Sequence, residues 1–249
     1  MSLTQALSDR KQTTPAQSWY HSGSLGVRML IDTFGRKITY LRISVTDRCN
    51  LRCAYCMPAA GIVRQSHDSI LRYEEIFKIV QVAADNGVTE IRLTGGEPLV
   101  RADIVELIKM IRSLPQITDI SLTTNALLLE EYAAKLKLAG LNRVNISLDT
   151  LDPEKFKKIT RVGSFEKVWA GILAAEAAGL QPIKLNAVVI RGLNDTEIPA
   201  LAHLSVDKPW NIRFIELMPV KNQESWGDGF LPPEGAYVSK QEMLQFLQP

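Results

Sequence analysis

The chain has 249 residues, of which 46% are hydrophobic and 22% are charged, a composition typical of a folded soluble protein. Its 29 basic and 27 acidic residues leave a net charge of +2, which does not indicate nucleic-acid binding. Glu176 interrupts even the most apolar stretch, residues 170–180, which argues against a membrane span. Three cysteines are too few for a disulfide scaffold, and all three lie between Cys49 and Cys56.

The N-terminal segment differs in character from the rest of the chain. Residues 1–20 are polar and contain neither an apolar signal sequence nor an arginine-rich transit pattern. We therefore expect a flexible tail over residues 1–29 and a folded domain over residues 30–249, with order beginning near Leu30.

Apolar strand-like runs alternate with segments of helical spacing along this domain. The predicted strands are 39–45, 90–94, 119–123, 143–148, 183–189 and 211–217. The predicted helices are 73–85, 102–113, 130–139, 164–178, 195–204 and 241–247. Three helices end at a glycine that suits a left-handed cap (Gly87, Gly140 and Gly179), and Ser164 is a candidate N-cap. A Pro- and Gly-rich stretch at 219–235 indicates a long loop or a hinge.

Six strand–helix units with apolar strands predict an α/β fold with a parallel sheet covered by helices. An open doubly wound sheet and a barrel both satisfy this pattern. The polar residues follow several different strands, which favours a complete or partial barrel, since its C-terminal rim gathers all these loops. A doubly wound sheet would concentrate them at one switch point.

The cysteines form a CxxxCxxC loop, Cys49, Cys53 and Cys56, directly after the first predicted strand. Three thiolates can hold an iron–sulfur cubane and leave one iron open. A zinc site that uses His67 and a redox-active cysteine loop are the alternatives. The aromatic Tyr55 before the last cysteine favours the cluster.

This loop resembles the signature of the radical S-adenosylmethionine (SAM) enzymes, and the surrounding motifs resemble the GTP 3′,8-cyclase family of molybdenum cofactor biosynthesis. The motifs are LRISVTDRCN (41–50), IRLTGGEPLVR (91–101), LTTN (122–125), RVNISLDTLDPEKF (143–156), KLNAVVIRGLND (184–195) and RFIELMPV (213–220). The match runs from about residue 30 to 247. It implies an incomplete (β/α)6 TIM-type barrel.

The resemblance also implies the cofactors and their ligands. Cys49, Cys53 and Cys56 would hold one [4Fe-4S] cluster, whose open iron binds SAM and gives a 5′-deoxyadenosyl radical. The residues implied to contact SAM are Tyr55, Gly95, Gly96, Glu97, Ser147 and Met218. Without the resemblance, GGEP could be an ordinary turn, Ser147 a strand-end hydrogen bonder and Met218 a core residue.

The implied substrate is GTP, converted to 3′,8-cyclo-7,8-dihydro-GTP. Four cations lie in or beside predicted buried strands, where an uncompensated charge is costly, and the resemblance assigns them to the substrate together with Thr123: Arg42, Arg92, Lys184 and Arg213. Ion pairs with Glu97, Asp149 or Glu216 are the alternative. Plausible rim residues are Arg36, Asp47, Arg48, Asn125, Asp149 and Asn186.

The chain departs from the family pattern in two respects. It has no cysteine after Cys56 for the family's second [4Fe-4S] cluster and no terminal Gly-Gly, so we expect a truncated form of the cyclase. Ala126 stands where the family has glycine, at little cost unless the position needs a positive φ. The alternatives are an enzyme that binds the cluster and SAM but acts on another substrate, and a non-catalytic metal-binding remnant.

The resemblance further implies a low-potential ferredoxin or flavodoxin as electron donor and cyclic pyranopterin monophosphate synthase as the downstream enzyme. An uncovered barrel mouth favours association, for example into a homodimer. We expect a reducing, cytoplasmic location and no nucleic-acid or membrane partner.

Overall fold

A six-stranded parallel sheet forms the centre of the molecule. The computed structural model describes residues 20–22, 28–62, 66, 69–218, 230–231 and 233–248. The sheet strands are β3 (Tyr40–Ser44), β4 (Glu90–Thr94), β5 (Asp119–Thr124), β6 (Arg143–Ser147), β7 (Ile183–Val189) and β8 (Trp210–Glu216). A separate antiparallel pair is formed by β1 (Tyr20–Ser22) and β2 (Arg28–Leu30).

Each of these parallel strands is followed in the chain by at least one helix. The helices are α1 (Tyr73–Asp85), α2 (Ile104–Arg112), α3 (Leu129–Leu138), α4 (Pro153–Thr160), α5 (Phe165–Ala177), α6 (Ile198–Asp207), α7 (Pro233–Ala236) and α8 (Lys240–Phe246). Ser164 caps α5 by accepting a hydrogen bond from the Lys167 backbone N–H, as predicted, and the three predicted glycine caps all have positive φ. Sequence patterning missed α4, because Phe156 and Ile159 are its only large apolar residues.

The strand order decides between the two predicted architectures. The sheet strands follow one another in chain order from β3 to β8, so the order never reverses and no switch point exists. Each neighbouring pair is parallel, and β3 and β8 are not paired with each other. The prediction of an incomplete (β/α)6 barrel is confirmed.

Strand alternation separates a core face from an inner face. Side chains that face the helices are fully buried, among them Ile91, Ile120 and Val144. Burial of each such side chain contributes roughly 1.5–3 kcal/mol to folding. The opposite face carries Arg42 and Arg92, which lie side by side in the β3–β4 register. The concave side of the sheet is therefore polar, which suits it to a charged ligand.

Parts of the predicted tail and loops fall outside the described residues, among them 1–19, 23–27, His67 and 219–229. Inside the segment expected to be a tail, Tyr20–Ser22 pairs with Arg28–Leu30. Among the described residues, no helix is both long and apolar enough to cross a membrane.

Candidate active site at the carboxyl ends of the strands

The cysteine loop follows β3 at the carboxyl end of the sheet. Cys49 and Cys53 are partly buried and Cys56 is exposed, and none forms a disulfide. Burial raises the pKa of all three thiols, and the neighbouring Asp149 carboxylate raises that of Cys53 further. A bound metal compensates this cost, because metal binding favours the thiolate form.

The end of α4 supports the cysteine loop from behind. The backbone N–H of Arg52 donates to the Thr160 carbonyl at 3.1 Å, and that of Ala54 donates to the Ile159 carbonyl at 2.9 Å. Ala54 is fully buried. The last carbonyls of a helix lack intrahelical donors, so the loop and the helix satisfy each other's backbone groups.

Tyr55 connects the cysteine loop to the ends of β6 and β7. Its hydroxyl donates to Asp149 Oδ2 at 2.8 Å, and the Val188 backbone N–H donates to Asp149 Oδ1 at 2.8 Å. Asp149 is 5% exposed, and burial raises its pKa to about 6. The Tyr55 side chain therefore holds the cysteine loop against Asp149, in addition to the SAM contact predicted for this residue.

Replacing Asp149 by asparagine is expected to change how stability depends on pH. Because the folded-state pKa of about 6 exceeds the ordinary value of 3.8, the carboxyl group costs increasing stability as pH rises through that window. Asparagine preserves the shape without this cost, so Asp149→Asn gains about 3 kcal/mol at most above pH 7 and nothing near pH 4. Urea unfolding of the cluster-free protein across this range measures the difference. The exposed Asp103→Asn is the control, and an equal pH profile for both variants contradicts the assignment.

Gly95 and Gly96 lie against the segment that leads into the cysteine loop. A Cβ on Gly95 would lie 2.4 Å from the Thr46 carbonyl oxygen, and one on Gly96 would lie 2.3 Å from the Arg48 carbonyl oxygen. The backbone N–H of Gly96 donates to the Thr46 carbonyl, and that of Glu97 donates to the Arg48 carbonyl. These positions admit only glycine because backbone already fills the space.

Glu97 is buried, with an exposed fraction of 1%, and it binds the end of β5. Its Oε1 accepts from the Thr124 hydroxyl at 2.8 Å and the Leu99 N–H at 3.0 Å, and its Oε2 accepts from the Asn125 N–H at 2.6 Å. Burial raises the Glu97 pKa, and these hydrogen bonds oppose the shift. A carboxylate has about four acceptor positions, so protein donors occupy most of those of Glu97.

The other predicted SAM residues lie at strand ends. Ser147 ends β6 opposite Asn186 and is partly buried. Met218 follows β8 with 75% of its surface exposed, so the alternative of a core residue is wrong. Asn125, a predicted rim residue, donates through Nδ2 to Asn50 Oδ1 at 2.7 Å and lies 3.8 Å from Cys49 Sγ.

The four predicted substrate cations share the inner face of the sheet. Arg42 and Arg213 are exposed rather than buried as predicted, because β3 and β8 are the free edges, whereas Arg92 and Lys184 are partly buried. Burial and repulsion from neighbouring cations lower the pKa of Arg92 and of Lys184. Over the described ranges, none of the four forms an ion pair.

The acidic residues of the alternative, ion pairing with these cations, have other hydrogen-bond partners. Glu97 and Asp149 form the contacts described above, and Glu216 accepts from the Tyr237 hydroxyl and the Lys240 backbone N–H. The cations therefore retain their capacity to bind an anion. Thr123 lies on the same face, where the register aligns it with Asn145 and, through that residue, with Lys184.

A sequence model of the Radical SAM superfamily matches residues 43–205, about two thirds of the chain. The chain belongs to the radical SAM superfamily. Curated relatives include a GTP 3′,8-cyclase of Petrotoga mobilis, 50% identical over 88% of this chain and 66% of the relative, and one of Moorella thermoacetica, 54% identical over 82% and 63%. The chain thus spans just under two thirds of the length of these relatives.

Solved structures agree on the radical SAM fold. Methylornithine synthase superposes with a TM-score of 0.63 over 84% of this chain and 60% of that protein, at 19% identity. A radical SAM methyltransferase from Sphaerobacter thermophilus gives 0.62 over 91% and 71%, at 17% identity. At these identities the likeness concerns the fold alone.

The donor set of this radical SAM chain fits an iron–sulfur cluster. Among the described residues, no three His, Cys, Asp or Glu side chains converge on the position of a single metal ion. A cubane does not require such convergence, because each thiolate binds a different iron. Cys49, Cys53 and Cys56 are the residues that could hold it, and the alternative with His67 lies outside the described residues.

One further residue of the inner face was not predicted from the sequence. Arg143 lies on the inner face beside Ser121, where it binds Asp119 at 2.6 Å and lowers the pKa of Lys184 by its charge. Alternate residues of a strand share one face, so the sequence could have placed Arg143 on the same face as Asn145 and Ser147.

Ala126 has φ of +63°, so the glycine of the family pattern has a conformational reason, and alanine costs roughly 1–2 kcal/mol there.

Proposed function

We propose that this chain is the cofactor- and substrate-binding barrel of a GTP 3′,8-cyclase that acts in molybdenum cofactor biosynthesis. The observation that carries the proposal is the juxtaposition of two features. A loop of three cysteines lies at the carboxyl ends of the strands, and cations without ion-pair partners among the described residues lie on the adjoining inner face. Relatives that are identical to this chain at about half of the aligned positions bear the name of this enzyme.

On the cofactor side, Cys49, Cys53 and Cys56 would hold a [4Fe-4S] cluster. SAM would be bound by the loop and strand-end residues described above: Tyr55, Gly95, Gly96, Glu97, Ser147 and Met218. Three protein donors hold the Glu97 carboxylate in place, and its fourth acceptor position would take the ammonium group of SAM. When bound, these groups supply the 5′-deoxyadenosyl radical that begins the conversion of GTP to 3′,8-cyclo-7,8-dihydro-GTP.

On the substrate side, the inner-face cations Arg42, Arg92, Lys184 and Arg213 would bind the triphosphate, and Thr123 would add a polar contact. Guanidinium groups suit phosphate oxygens because two N–H donors match two acceptors. An anchored triphosphate holds the ribose close to the cofactor, and such positioning is the main contribution that a protein makes to this kind of reaction.

Anaerobic reconstitution tests the proposal. We expect about four irons per chain and release of deoxyadenosine when dithionite and SAM are added. Uptake of about one zinc per chain without deoxyadenosine would contradict radical chemistry. Deoxyadenosine formation without the cyclised product in the presence of GTP would instead indicate another substrate.

Lys184 provides a test of triphosphate binding that does not depend on turnover. Burial and repulsion from Arg143, Arg213 and Arg92 lower its pKa from 10.5, so its charge is lost earlier than usual as pH rises. We expect calorimetric affinity for GTP and for inorganic triphosphate to fall on the alkaline side. Lys184→Met should weaken binding at neutral pH by about 10- to 100-fold and remove this decline.

Lys208→Met is the matched control for Lys184→Met. Lys208 pairs with Glu176 at 3.0 Å outside the inner face, so its loss should leave triphosphate binding unchanged. Wild-type affinity in Lys184→Met would remove this residue from the substrate site.

A further inference from the structure

Arg161 has an unusual place next to the cysteine loop. It follows α4, the helix whose last carbonyls support that loop, and its backbone has φ of +65° and ψ of −36°. A side chain other than glycine is strained in this conformation. Strain of this kind persists where surrounding contacts require it, and the contacts of the Arg161 side chain supply such a requirement.

The Arg161 side chain binds the backbone carbonyl before Cys53 and the one after Cys56. One guanidinium nitrogen, Nη1, donates to the Arg52 carbonyl at 2.9 Å and to the Met57 carbonyl at 2.9 Å. Arg52 directly precedes Cys53, and Met57 directly follows Cys56. One cationic nitrogen therefore binds both ends of the CxxC turn, residues 53–56.

The turn between these anchors is also closed by its own backbone. The N–H groups of Cys56 and Met57 both donate to the Cys53 carbonyl, at 2.9 and 3.1 Å. On the helix side, Arg161 N–H donates to the Lys157 carbonyl at 2.8 Å, which fixes the start of the side chain. The two hydrogen bonds of the Arg161 side chain thus connect the CxxC turn to the end of α4.

We propose that Arg161 is a positioning residue for the iron–sulfur cluster, holding Cys53 and Cys56 at the spacing that the cluster requires. This inference rests on the proposed function, since it assumes that these thiols bind a cluster. Hydrogen bonds from charged donors are stronger than neutral ones, so one side chain can carry this role.

The test compares cluster lifetime in reconstituted variants. Arg161→Met keeps the length and the backbone strain but removes the donors, and we expect loss of the cluster to a chelator to be at least about tenfold faster than in wild type. Arg161→Lys keeps a charged donor and should restore much of that lifetime. Iron absorbance follows the loss, and the electron paramagnetic resonance spectrum of the reduced cluster reports its geometry.

Arg112→Met is the matched control. Arg112 likewise connects two backbone carbonyls, those of Gly140 and Ile117, but at the end of α2, outside the cysteine loop. It should lower the unfolding midpoint without shortening cluster lifetime or altering the spectrum. Equal lifetimes for Arg161→Met and wild type, or for Arg161→Met and Arg161→Lys, would overturn the proposal. Failure of the wild-type chain to take up a cluster would instead overturn the proposed function.

Discussion

Replacing Cys53 by alanine is expected to abolish cluster binding. Cys53 is the most deeply placed of the three thiols, and no other His, Cys, Asp or Glu among the described residues completes a metal site around it. Iron content should fall from about four per chain to near zero, and SAM cleavage should fall at least roughly 10³-fold, because the cofactor carries the difficult step. Iron analysis and deoxyadenosine quantification measure the two effects.

Ser147→Ala separates ligation of the cluster from binding of SAM. Ser147 ends β6 and is not a thiol ligand, so this variant should retain all of its iron while binding SAM more weakly. A Cys53→Ala protein that kept about four irons per chain would mean that the ligand set proposed for the cluster is wrong.

The second large effect is expected from Gly96→Ala. Its Cβ would lie 2.3 Å from the Arg48 carbonyl oxygen and 2.6 Å from the Arg48 carbonyl carbon, and neither atom can move without displacing the segment that enters the cysteine loop. Overpacking against backbone should cost about 3 kcal/mol of unfolding free energy, which lowers the melting temperature by roughly 6–12 °C in a chain of this size. Urea and thermal unfolding measure both values.

Gly35→Ala shows what a purely conformational penalty costs. Gly35 has φ of +76° and no heavy atom within 4 Å of the added Cβ, so we expect a loss of only about 1 kcal/mol. If both alanine variants lost the same free energy, the contact between Gly96 and Arg48 would not be the determining factor.

The sequence predicted the elements that have strong local patterns. Strands β4 and β7 and helix α1 have the predicted bounds, because continuous apolar runs and helical periodicity depend on neighbouring residues alone. Helix α4 was missed because so little of its surface is apolar. The exposure of Arg42 and Arg213 was mispredicted because sequence patterning does not reveal which strands are left at the edges.

The candidate site was predictable where motifs are contiguous and not where it depends on distant contacts. CxxxCxxC and GGEP are readable as strings of residues. The hydrogen bond between Tyr55 and Asp149 joins positions 94 residues apart, and the contacts of Arg161 with Arg52 and Met57 span more than 100. Such pairs appear only once the chain order of the parallel strands brings their loops to one edge.

The contact between the Gly95–Glu97 turn and the Thr46–Arg48 segment has a consequence for affinity. Two backbone hydrogen bonds and close main-chain packing hold the two loops together without a ligand. The entropic cost of ordering the two loops is met during folding, so a ligand that bridges them binds without this cost. Binding energy that would otherwise be used to assemble the pocket remains available to hold the ligand.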